Sequence, residues 1–96
     1  MKYPSCDVLA SNGARRIAIE CKTSRDKSKY LEKDEAKQLK DFSSIFGAEA
    51  WIGVRFDRED WLFITLEDIK DTGNNFLVSL DIAKKKGLTF DELIEK

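Results

Sequence analysis

The chain has 96 residues, 42% of them hydrophobic and 36% charged, with a formal net charge of −1. That is enough apolar material for one small domain spanning residues 1–96, and too much for a disordered chain. No run approaches the roughly 18 apolar residues of a membrane span, and the first residues lack a signal-peptide pattern, so a cytoplasmic protein with no membrane partner is expected.

Residues 6–10 read as a short strand and Ser11-Asn12-Gly13 as a turn, since Asn and Gly tolerate positive φ. Residues 15–22 alternate cleanly: Ile17, Ile19 and Cys21 share one face, and Ala18, Glu20 and Lys22 share the other. The two runs make a hairpin. Residues 23–29 form a polar, basic loop, and Tyr30 and Leu31 a brief extended segment. Ala36, Leu39, Phe42, Ile45 and Phe46 recur at helical spacing, which predicts a helix over 34–46 capped by Gly47. Strands follow over 51–56 and 61–66, joined by a turn at 57–60. Residues 76–79 are a short strand or a lead-in to a helix over 80–86, which Gly87 ends. Thr89 and Glu92 form a capping box for a last helix. The expected architecture is α/β, with a mixed sheet of four to five strands flanked by helices.

Charge is uneven along the chain. Residues 1–31 carry 7 Lys/Arg against 3 Asp/Glu, a local charge of +4; residues 32–96 carry 10 against 15, or −5. The cations Arg15, Arg16, Lys22, Arg25, Lys27 and Lys29 cluster around the hairpin. Such a cluster attracts a phosphate backbone, although a solvated lysine-rich loop has the same composition. Arg25, Lys27 and Lys29 are the better DNA contacts, because they follow the second strand directly. The abundant Lys and Glu are also usual in thermophiles. Cys6 and Cys21 lack metal-ligand spacing and read as reduced, small hydrophobes.

Asp7 opens the first strand, and Glu20 and Lys22 lie two apart near the end of the second. If the strands are neighbours, the two carboxylates converge. They repel unless a hard cation lies between them, and Mg²⁺ suits two carboxylates with a backbone carbonyl, that of Cys21 being the natural one. A metal there would polarise a phosphodiester, with Lys22 orienting water or stabilising the growing charge. By spacing alone, a solvent-facing ion pair of Glu20 and Lys22 on an edge strand is the commoner arrangement. Further along, Phe42 and Phe46 read as core or as a dimer interface, and Arg55 as an ion pair with Asp57 or Glu49 or as a phosphate contact. Gln38 reads as an exposed helix residue, and Lys84, Lys85 and Lys86 as a cationic last helical turn.

The spacing D-x12-E-C-K resembles the PD-(D/E)xK signature of restriction-endonuclease-like nucleases. The longer strings YPSCDVLASNGARRIAIECKTS, EAKQLKDFSSIFGAEAWIGVRFDREDWLFITL and GNNFLVSLDIAKKKGLTFDELI resemble the archaeal Holliday junction resolvases over nearly the whole chain. The resemblance implies a homodimer that nicks two opposing strands of four-way junction DNA in recombination and repair. It implies Mg²⁺, with Mn²⁺ as a substitute, held by Asp7 and Glu20, and catalysis by Lys22. Cys6 stands where the signature often has Pro. The family's N-terminal helix with its Glu-Arg pair, and its Ser/Gly-rich loop, have no counterpart in this sequence. An exposed part of the sheet, covered by dimerisation or by exchange of elements with a partner chain, is therefore expected. The alternative is a truncated or impaired relative that dimerises and binds branched DNA without cutting.

Overall fold

The computed structural model describes residues 6–95. Seven strands are β1 (Val8–Ser11), β2 (Arg16–Ser24), β3 (Ser28–Glu32), β4 (Glu49–Phe56), β5 (Leu62–Thr65), β6 (Lys70–Asp71) and β7 (Asn75–Ser79). Three helices are α1 (Lys33–Phe46), α2 (Leu80–Lys86) and α3 (Phe90–Glu95), and a 3-10 turn covers Leu66–Asp68.

The main sheet has the order β1-β2-β4-β5, with β2 parallel to β4 and the other pairs antiparallel. This four-stranded mixed sheet has the expected size. A separate three-stranded sheet, β3-β7-β6, lies beside it. The basic segment after β2 is thus mostly strand: β2 runs on to Ser24 and β3 starts at Ser28, leaving only Arg25, Asp26 and Lys27 between them.

Alternation along β2 and β4 divides the core in two. Ala18, Ile52, Val54 and Ile64 pack with Leu31, Ala36, Leu39 and Val78 under α1 and the smaller sheet. Ile17, Ile19, Trp51 and Phe63 pack with Leu93 of α3 on the opposite face. Leu88 exchanges backbone hydrogen bonds of 2.8 and 2.7 Å with Phe63, which fixes the approach to α3 on the β5 edge.

The hairpin turn is closed by Asn12, whose Oδ1 accepts the N–H groups of Ala14 and Arg15 at 3.2 and 2.9 Å. Gly47 ends α1 in the left-handed region at φ 63°, as expected of a glycine cap. The apolar stripe of α1 departs from expectation. Ala36, Leu39 and Ser43 are buried, Phe42 is half-buried, and Ile45 is 66% exposed with Phe46 beside it in solvent. The helix presents its 36–39–43 line to the sheet, so its last turn overhangs the core. Val8 and Leu9 of β1 are exposed as well.

Gly53 sits where β4 is closest to its neighbours. A Cβ there would lie 2.9 Å from Phe63 Cε1 and 3.2 Å from Ile19 Cγ2, both held in the α3-side core. Gly53→Ala is expected to cost about 1–3 kcal/mol of stability, read as a lower urea midpoint; an unchanged midpoint would mean this layer is loosely packed.

Candidate active site at the open end of β2

β2 is longer than its antiparallel neighbour. β1 pairs with it only from Arg16 to Ile19, whereas β4 pairs with it as far as Ser24. Residues 20–24 therefore have one backbone edge free of β1, and an unpaired edge needs other partners. Asp7 supplies one. Its amide donates to the Ile19 carbonyl at 3.0 Å, and its Oδ2 accepts the Cys21 N–H at 2.7 Å. In a strand the N–H and C=O of one residue point the same way, so the Cys21 carbonyl also faces this open edge.

Extending the β1–β2 register by one residue sets Asp7 opposite Glu20. The two carboxylates, expected to converge, are near enough for the Asp7 charge to act on Glu20. Glu20 and Lys22 share the α1-facing side, with Lys22 Nζ 3.9 Å from Glu20 Oε2. Their side chains are 17% and 21% exposed. Burial lifts Glu20 above its ordinary carboxylate value, and the Asp7 charge lifts it further, with Lys22 pulling the other way. Burial also raises both thiols, Cys6 and Cys21, and nearby carboxylates reinforce this, so the cysteines are protonated and inert.

The sequence reading missed Glu35. This residue of the first turn of α1 is the direct ion-pair partner of Lys22. It also accepts the Glu32 N–H at 3.2 Å as part of a capping box. Burial pushes Glu35 upward, but the Lys22 hydrogen bond, the Glu32 amide and the Lys29 charge outweigh it, so its value is lowered. The capping pattern Glu32-x-x-Glu35 was the available signal, yet it explains Glu35 without a second role. Lys22 is therefore shared by two carboxylates, Glu20 and Glu35, while the Asp7 charge bears on Glu20. Asp7 and Glu20, with the Cys21 carbonyl, offer hard oxygen donors to a cation. Among the described residues, no three His, Cys, Asp or Glu side chains form a ready cation cage.

The expected DNA contacts separate into two groups. Arg25 and Lys27 are exposed in the β2–β3 turn, and Lys29 is half-buried facing Glu35. Arg15 instead makes a pair of 2.8 Å hydrogen bonds to Glu49 and a 2.7 Å bond to the Leu93 carbonyl. Arg16 caps the end of α1 through the Phe46 carbonyl at 2.9 Å. Arg55 forms no salt bridge with Asp57 or Glu49 among the described residues and instead donates its Nε–H to the Glu59 carbonyl at 3.3 Å. Phe42 and Phe46 stack with centroids 4.4 Å apart at the end of α1.

A model of the archaeal Holliday junction resolvase family matches residues 1–96. The chain is 34% identical over 97 residues to a crossover junction endodeoxyribonuclease of Archaeoglobus fulgidus, with 94% of this chain and 71% of that protein covered. It is 31% identical to the enzyme of the same name from Methanocaldococcus jannaschii, with 92% and 74% covered. The solved structure of the A. fulgidus Holliday junction resolvase superposes with a TM-score of 0.91 at 33% identity, over 99% of this chain and 77% of that one.

The opposite shifts of Glu20 and Glu35 give opposite linkage. Glu20 has the higher value when folded, so its ionisation costs stability at neutral pH, and the cost vanishes as pH falls below about 4.5. Glu35 has the lower value when folded, so its contribution is present above its unfolded value and is lost as pH falls through its folded value. At neutral pH, Glu20→Gln should raise the thermal midpoint and Glu35→Gln should lower it, and both differences should shrink on acidification. A lower midpoint for Glu20→Gln at neutral pH would refute a strained carboxylate at this position.

Proposed function

The chain belongs to the archaeal Holliday junction resolvase family, and from that premise we propose that residues 1–96 form one nuclease unit that cuts four-way junction DNA. It acts as a homodimer making paired nicks with a divalent cation. The observation that carries this reading is the placing of Asp7 near the half-buried Glu20, whose pKa is raised by burial and by the Asp7 charge, with Lys22 within 3.9 Å. A structural ion pair would place its charges to relieve each other. Here two carboxylates meet and the ammonium is shared with a third.

The donor set suits a hard cation. Mg²⁺ keeps most of its waters, so two carboxylates and a carbonyl are enough, and Mn²⁺ accepts the same donors. Asp7, Glu20 and the Cys21 carbonyl would hold the ion, which when bound neutralises the carboxylate pair and polarises the phosphodiester as a Lewis acid. Cys21 N–H orients Asp7 through its 2.7 Å bond to Oδ2, so Oδ1 would be the oxygen offered to the ion. Lys22 Nζ, with three N–H donors, holds the attacking water or stabilises the charge that grows on the phosphoryl oxygens. To do so it must exchange its bond to Glu35 for one to the substrate. Arg25, Lys27 and Lys29 contact the phosphate backbone, which selects the branched substrate by shape rather than by base sequence.

Glu35 is also the observation that favours a second reading. A lysine sequestered by a carboxylate describes a protein that binds junctions without cutting them. A nicking assay on a synthetic four-way junction beside linear duplex, with and without Mg²⁺, separates the two. Metal-dependent paired nicks confined to the junction support the enzyme; tight binding with no cleavage supports the binder. For the enzyme, Asp7→Ala or Glu20→Ala abolishes cutting while leaving junction affinity nearly unchanged. Lys22→Ala lowers the single-turnover rate about 10²- to 10³-fold. Loss of binding with the fold intact would show that the carboxylates are not serving as metal ligands.

The overhanging end of α1 supplies the dimer surface. Ile45 and Phe46 are exposed and Phe46 stacks on Phe42, which makes a contiguous apolar ridge. Phe46→Lys is expected to shift the sedimentation coefficient from dimer toward monomer without lowering helicity. A dimer unaffected by this charge would place the interface elsewhere.

A further inference from the structure

The parallel strands β2 and β4 finish side by side, with Thr23 opposite Arg55 and Ser24 opposite Phe56. Just past them lies an open cleft of about 340 Å³ lined by Arg25, Arg55 and Arg58, by Thr23 and Ser24, and by one carboxylate, Asp57. Three guanidiniums thus face a single acid. Among the described residues none of the three forms a salt bridge, although Lys22, Lys33, Lys37, Lys84 and Lys86 all do.

The cleft is held in shape by its backbone. Ser24 Oγ donates to the Ser28 carbonyl at 2.8 Å and accepts the Asp26 N–H at 3.1 Å, which fixes the tight turn that carries Arg25. The Arg55 Nε–H bond to the Glu59 carbonyl at 3.3 Å ties that guanidinium across the 57–60 turn and leaves its two terminal nitrogens available. Arg58 adopts φ 64°, the only positive φ at a non-glycine among the described residues. Side chains rarely take this conformation, and Asn or Gly would take it more easily.

We propose that Arg25, Arg55 and Arg58 form a clamp for one backbone phosphate of the DNA strand whose neighbouring phosphodiester reaches the Asp7–Glu20 corner. This rests on the nuclease reading above. Guanidiniums suit a phosphodiester because their N–H groups pair with two oxygens at once. Position argues for the same strand. At about 3.3 Å per residue, the row of Thr23 and Arg55 lies roughly 7 Å along β2 from Cys21, while successive phosphates of one strand rise about 3.4 Å along the helix axis. The clamped phosphate is therefore one or two nucleotides from the bond that is cut. Thr23 and Arg55 point to the face opposite Glu20, but the cleft extends past the last paired residues to Arg25, Asp57 and Arg58, where the sheet no longer separates two faces. The clamp would fix the strand's register against Lys22, making Arg55 and Arg58 positioning residues.

The test is junction binding without metal, read as Kd and its salt dependence for the wild-type chain, for Arg55→Gln/Arg58→Asn, and for Lys70→Gln/Lys85→Gln, which removes the same charge elsewhere. Asn at 58 keeps the left-handed turn accessible. The arginine variant should bind roughly tenfold or more weakly, with a salt slope smaller by about one, and with an unchanged circular-dichroism melt. The lysine control should match wild type. A variant that keeps wild-type Kd and slope overturns the clamp, and an equal loss in the control assigns the effect to net charge. Inorganic phosphate at matched ionic strength should leave binding unchanged; displacement would assign the cleft to the free ion. A wild-type chain that binds no junction would refute the nuclease reading itself, which separates the two failures.

Discussion

β2 is nine residues long and β1 is four, and the candidate site of this chain lies where the longer strand outruns the shorter one. Were β1 to continue alongside residues 20–24, the Cys21 amide and carbonyl would be spent on a ladder. Because it stops, the amide takes the Asp7 carboxylate as its partner at 2.7 Å, and the first residue before the strand becomes part of the site. β4 remains paired on the other side through Ser24, so the open edge is still rigid. A loop could carry the same side chains, but with less exact placement. The parallel β2–β4 pair also needs a crossover, and α1 is that crossover. Its first turn therefore arrives beside the strand's polar end, which brings Glu35 to Lys22.

The same corner is a place where folding free energy is sacrificed for charge. Glu20 is partly desolvated and faces Asp7 across the register, so its ionised form is disfavoured. Lys22 lowers that cost, but it is shared with Glu35. An apolar pair at these positions would pack more favourably against the Ala18–Ile52–Val54 layer, which is fully buried. Such crowding marks sites built for a ligand more often than sites built for stability. It also explains the silence of the two cysteines. Their neighbours are the same carboxylates, which oppose thiolate formation and keep the sulfurs as packing atoms.

Much of this was legible from alternation. The period of two over residues 15–22 placed Ala18, Glu20 and Lys22 on one face, and the Asn12-Gly13 turn made Asp7 their cross-strand neighbour. Three features escaped for physical reasons. Glu35 looked complete as a capping residue, and only the crossover geometry shows its second contact. The α1 stripe of Ala36, Leu39, Phe42, Ile45 and Phe46 has the right spacing but ends outside the core, because the helix turns its 36–39–43 line inward; Ser43 is buried instead. The smaller sheet was hidden because β3 reads as a polar, basic segment and β6 is two residues long. Its order comes from β7, which pairs with both and contributes the buried Val78.

A net charge of −1 would be a poor credential for a DNA-binding protein if net charge were what DNA met. At a Debye length of about 8 Å in physiological salt, a phosphate senses the side chains within a few residues and little else. The fold sorts the cations accordingly. Arg15 and Lys33 are consumed by Glu49 and Asp71, and Lys84 and Lys86 by Glu59 and Asp68, so these charges largely cancel in place. Arg25, Arg55 and Arg58 are gathered at the ends of β2 and β4 without ion-pair partners among the described residues. The acidic excess of the C-terminal two thirds is spent on pairing or spread over the surface. The three arginines make a short positive ledge past the end of the strand that carries Glu20. On the proposed reading, that arrangement would draw a phosphate strand along β2 and leave a cation to bridge the last step to Asp7 and Glu20.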